Sequence, residues 1–120
     1  MIFHLPIEPY PNRYTEDWIE EFESSFEKHD KDYITVLGDQ LVDEIEHGEV
    51  LDAEGTNYWK MTQMSRLIKL FNDGIVNDGD TIFFPDLWYP SLEVVPYISA
   101  IKDLDIKIAG VFHAGTYDEA

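Results

Sequence analysis

The chain has 120 residues, the length of one domain, and is 44% hydrophobic and 14% aromatic, which supplies a packed core and excludes a disordered chain. Cysteine is absent, which excludes a disulfide framework and a thiolate metal site and fits a reducing compartment. Eight bases stand against 25 acids for a net charge of −17, with 16 acids and 3 bases in residues 1–55 and 9 acids and 5 bases in residues 56–120. Nucleic acid selects basic surfaces through counterion release, so this balance argues against direct DNA or RNA binding. It is read first as solvation of exposed helix faces. The competing reading is a DNA mimic, an acidic protein that occupies the basic groove of a partner. A basic leader segment and a membrane-length apolar run are both missing from the sequence, so the expectation is a soluble cytoplasmic protein.

The first predicted element is a short buried strand near 2–5, ended by the proline-rich loop PIEPYPN. A helix follows near 15–28. Thr15 suits its N-cap, Glu16 and Asp17 suit its first turn, and Trp18, Ile19, Phe22 and Phe26 repeat at helical spacing. Tyr33–Leu37 is β-branched and strand-like, with Gly38-Asp39 as its exit. In residues 40–55, Leu41, Val42 and Ile45 fit a short helix closed by Gly48. A longer helix is expected near 57–73, capped by Thr56 and stopped by Gly74, with Trp59, Met64, Leu67, Ile68 and Phe71 on one face. The turn Asn77-Asp78-Gly79-Asp80 leads into a strand near 81–85, then the loop PDLWYP. A third helix near 91–103 has to accommodate Pro96 as a kink or in its first turn. The last strand is expected near 106–112.

Apolar strands alternating with helices imply a parallel sheet with right-handed crossovers. The expected fold is therefore α/β: a single Rossmann-like domain over 1–120 with about four strands and flanking helices. Its C-terminal end lacks a covering helix. The uncovered final strand predicts exposed apolar area and a homo-oligomeric contact.

Ligands of open α/β sheets bind at the carboxyl ends of the strands. The first strand exit supplies His4, Glu8, Tyr10, Arg13 and Tyr14; the third supplies Asp86, Trp88 and Tyr89; the fourth supplies His113, Gly115, Thr116, Tyr117 and Asp118. Parallel strands bring these exits to one rim, so His4, Glu8, Asp86, Trp88, His113 and Asp118 are expected to share a cleft. Each has a plain alternative: His4 as a core histidine, Trp88 as packing. GxGxxG, a Walker lysine loop and G-x-S-x-G are all absent, which argues against dinucleotide sites, P-loop sites and serine hydrolases. Histidines 4, 29, 47 and 113 show no H-x-x-x-H pairing, so no metal site is predicted.

Four segments, HLPIEPYPNRYTEDW, LDAEGTNYWKMTQ, DGDTIFFPDLWYP and FHAGTYD, together resemble the N-terminal part of phage and prokaryotic glycosyltransferases of the GT-B type. The resemblance runs in order along the whole chain, with DLWYP and HAGTYD its most specific pieces. It implies the acceptor-side half of an enzyme that moves a sugar from a nucleotide-sugar to a hydroxyl. It also implies a cleft lined by His113 and its neighbours, with His4, Glu8 and Arg13 beside them. Glu8, His113 and Asp118 are the candidates for general base or acceptor positioning. His4, Arg13, Tyr14, Asp86, Trp88, Gly115, Thr116 and Tyr117 are candidates for substrate contacts. No cofactor is expected in this domain. The nucleotide-sugar is implied for a C-terminal donor domain that this sequence does not contain, and without it the domain is expected to be inactive. The alternative is a stand-alone acidic binding protein of phage type that recognises a basic partner.

Overall fold

The computed structural model describes residues 1–9, 15–41, 53–87 and 89–111. Strands β1 (Ile2–His4), β2 (Tyr33–Thr35), β3 (Thr81–Phe84) and β4 (Lys107–Gly110) alternate with helices α1 (Thr15–Lys28), α2 (Ala53–Asn72) and α3 (Val94–Ile101). The four strands form one sheet in the order β2-β1-β3-β4, and every pairing is parallel. The fold is the expected Rossmann-like α/β sheet. The chain steps from β1 to β2 on one side, then crosses back over β1 to β3 and β4. The order therefore reverses between β1 and β3.

Register assigns the side chains to faces, because directly paired residues in a parallel ladder project to the same side. Ile34, Phe3, Ile82 and Ile108 form one row. With Leu5, Val36 and Phe84, the first three of these pack against Met64, Leu67 and Phe71 of α2 and Val95 of α3, while Ile108 is 40% exposed. The adjacent row, Thr35, His4, Phe83 and Ala109, lies on the opposite face. There α1 covers it with Phe22 and Phe26, whose rings meet those of His4 and Phe83.

Each helix ends the same way. Lys31 N donates to Phe26 O, Ile75 N to Leu70 O and Leu104 N to Ser99 O, and each closure places a residue with positive φ at the turn. Gly74 takes that position after α2, whereas Asp30 and Asp103 take it after α1 and α3. A left-handed residue is needed to release the last carbonyls to these bonds, and glycine adopts it with least strain.

Several local expectations need correction. α2 starts at Ala53, so Thr56 lies inside the helix and does not cap it. Ile68 is exposed, while Gln63 is wholly buried: the inward stripe runs at four-residue steps through Trp59, Gln63, Leu67 and Phe71. α3 is shorter than expected and places Pro96 third, where the missing N–H has no helical partner to lose. The short helix expected in 40–55 falls mostly on 42–52, outside the described residues. Among the described residues no helix is long and apolar enough to cross a membrane.

β4 carries the exposed surface expected of an uncovered strand. Ile108 and Val111 are 40% and 41% exposed; Phe112 lies outside the described residues.

Candidate functional site

The carboxyl ends of β1, β2 and β3 are braced by one helix. Pro6, just past β1, offers a carbonyl that accepts from Trp59 Nε1 at 3.0 Å and from Gln63 Nε2 at 2.9 Å. The second Gln63 amide hydrogen goes to Val36 O, just past β2, at 2.8 Å. Gln63 Oε1 lies 2.7 Å from the hydroxyl of Tyr89, past β3, which also has Lys60 O at 2.8 Å and donates to one of the two. This network orients the amide: two carbonyls require its NH2 on one side and a hydroxyl serves its oxygen on the other. One buried glutamine thus ties three strand exits together.

The β2 exit also presses against α2. A Cβ on Gly38 would lie 2.1 Å from Trp59 O, so only glycine fits that approach. Asp39 N donates to Thr62 Oγ1 at 2.7 Å, and Arg66 reaches Leu37 O at 2.7 Å and Asp39 Oδ1 at 2.5 Å. Gln40 Nε2 then donates to Pro9 O at 2.8 Å, linking this exit to the loop after β1.

Two of the predicted site carboxylates belong to this edge. Glu8 follows β1 and is 2% exposed. Asp86 follows β3, and its Oδ2 is 3.8 Å from Lys60 Nζ. That ammonium is buried and stands 5.7 Å from the Tyr89 ring centroid. Burial lowers the Lys60 pKa, with the Asp86 charge opposing. β1 and β3 are the strands between which the order reverses, so Glu8 and Asp86 flank the place where open α/β sheets bind ligands.

His4 is elsewhere. It was expected to line the cleft, yet its ring is wholly buried beneath α1, 5.5 Å from Phe26 and 5.7 Å from Phe22 between centroids. Among the described residues neither ring nitrogen has a hydrogen-bond partner, and burial pushes the pKa down to about 4, which keeps the ring neutral. The reason is geometric: side chains inside a strand project perpendicular to the sheet, toward a covering helix and away from the rim. Arg13, Tyr14, Trp88, His113, Gly115, Thr116, Tyr117 and Asp118 lie outside the described residues.

Lys60, Gln63 and Arg66 had no predicted role, and Trp59 was expected only on the apolar face of its helix. Gln63 did leave a signal, being a polar residue on an otherwise apolar four-residue stripe. A separate surface depression, lined by Met1, Glu27, Asp30, Lys31, Asp32 and Tyr33, lies at the amino ends of β1 and β2, the wrong edge for a ligand of this sheet type. There the Glu27 carboxylate accepts from the Tyr33 hydroxyl at 2.6 Å and pushes its pKa up to about 12. Among the described residues no three potential ligand side chains gather to hold a metal ion. No protein-family model, curated protein or solved structure matches the chain, so the reading of this site rests on its own residues.

Proposed function

We propose that the carboxyl edge of β1 and β3 binds a hydroxyl-bearing acceptor, as the acceptor side of a GT-B-type glycosyltransferase. The observation that carries this reading is the position of Glu8 and Asp86 just past the two strands that flank the reversal in strand order. Carboxylates suit the task because they accept hydrogen bonds from sugar hydroxyls and can take a hydroxyl proton. In the transfer, the acceptor oxygen bonds to the anomeric carbon of the activated sugar and gives its proton to a base. The bond to the nucleoside diphosphate breaks, and its electron pair leaves with the phosphate. Glu8, His113 and Asp118 are the proposed candidates for that base. The nucleotide-sugar would sit on a second wall supplied by further sequence or another chain.

Titration of the isotope-labelled protein with a panel of mono- and disaccharides tests this by NMR. Shifts are expected at residues 6–9, 37–40 and 85–87, and they should be lost in Asp86→Asn. Perturbation confined to the depression around Asp30–Tyr33 would overturn the reading. One observation favours the alternative of an acidic binding protein: α1 exposes Asp17, Glu20, Glu21 and Glu27 on its outer surface. That reading predicts shifts along α1 on adding a lysine-rich polypeptide, and none at the rim with sugars.

A further inference from the structure

We propose that the open edge of β4 pairs with β4 of a second copy of this chain, antiparallel, about a two-fold axis at Ala109. This does not rest on the glycosyl-transfer reading. The register with β3 decides which backbone groups are available. Lys107 N donates to Asp80 O at 3.0 Å and Val111 N to Phe84 O at 3.1 Å. Alternation along the strand then turns the backbone groups of Lys107, Ala109 and Val111 toward β3. The N–H and C=O of Ile108 and Gly110 point away from the sheet, where no described strand meets them.

An antiparallel ladder that sets Ile108 opposite Gly110 of the second copy uses all of these groups. Each such opposed pair exchanges two N–H···O bonds, and the symmetry axis repeats the pair. Ala109 then faces its own counterpart at the non-hydrogen-bonded position, where Cα atoms approach to about 4.5 Å. Its methyl allows that approach without a clash. The exposed apolar side chains of Ile108 and Val111 lose contact with water as the edge closes.

Charge selects a second copy as the occupant. A basic partner is drawn to residues 1–55, which hold 16 of the 25 acids. Residues 94–111 are balanced, with Lys102 and Lys107 against Asp103 and Asp105, so a like molecule meets a neutral strip there. In the proposed register Lys107 lies opposite Val111 of the other copy. The two lysines then stand about 13 Å apart, four residues along the ladder. Edge strands are normally protected by proline, bulges or several charges. β4 has the sequence KIAG, with one lysine and no proline.

Light scattering should give a dimer whose affinity rises with salt, because salt screens the repulsion between two molecules of charge −17. A mass that stays monomeric up to the solubility limit would overturn the proposal, as would a dimer that weakens in salt. Ala109→Cys, in a chain without other cysteines, should form an intermolecular disulfide on mild oxidation. Ile101→Cys on the exposed surface of α3 is the control, and equal cross-linking of the two variants contradicts the axis. Ala109→Asp should give a folded monomer by circular dichroism and light scattering; a persistent dimer places the interface elsewhere.

Discussion

The two faces of the sheet are built to different standards. Against α2 and α3, the rows through Phe3, Leu5, Ile82 and Phe84 close a dry core in which Leu67, Phe71 and Val95 are almost fully buried. Against α1, the contacts are rings on rings, and Phe22 and Phe26 are only half-buried. His4 is enclosed there with no hydrogen-bond partner among the described residues, while Thr35 and Tyr33 donate to Glu23 and Glu27 of the helix. The difference follows from coverage. Two helices cover one face and a single helix the other, while β4 is exposed on both, with Lys107 and Ala109 on the α1 side and Ile108 on the opposite side. The α2/α3 face should therefore set stability, and the α1 face its response to pH.

The largest effect expected is from Leu67→Ala, which removes a fully buried side chain and should cost about 3–4 kcal/mol in urea unfolding. Phe26→Ala on the other face should cost about 2 kcal/mol, since that ring is only partly removed from water. Equal losses would break the comparison.

Next comes acid. The His4 pKa falls from 6.5 unfolded to about 4 folded, so the unfolded chain takes up the extra proton between those values. Stability from the neutral ring is complete above pH 6.5 and is lost as pH falls toward 4, amounting to about 3 kcal/mol at the acid end. His4→Phe should remove that slope from a stability-versus-pH profile relative to the parent chain; an unchanged slope would mean that His4 is not the group responsible.

Gln63→Leu should cost about 2 kcal/mol, because the Pro6 and Val36 carbonyls lose donors in a buried setting. Hydrogen exchange should speed up in the segments after β1, β2 and β3 together. Acceleration at only one of them would show that the brace is not shared. The smallest effect is a gain: Asp103→Gly relieves the positive φ of 57° and should stabilise by about 0.5–1 kcal/mol, read from the urea midpoint.

The strands were legible because continuous apolar runs such as TIFF carry their own signal, and α1 because its aromatic spacing starts and stops cleanly. The start of α2 was less legible. Thr56 has the chemistry of a cap, yet three residues before it continue the helix. Glu8 and Asp86 could be proposed from their places after strands. His4 was misplaced because its chemistry was weighed without the direction in which a strand residue projects. Gln63 stood out as a polar residue on an apolar stripe, but its partners were not legible in the sequence, since they lie 26 to 57 residues away.

The sequence by itself determined the class of fold: the alternation of apolar runs with helical stripes, the cysteine-free composition and the acidic first half are all local or additive properties. Only the tertiary structure decided the order β2-β1-β3-β4, and with it which two strands flank the reversal. It also decided that His4 faces α1 and that Gln63 joins three loops. Those outcomes depend on pairing and register between distant segments, and register is a choice made by the packed chain as a whole.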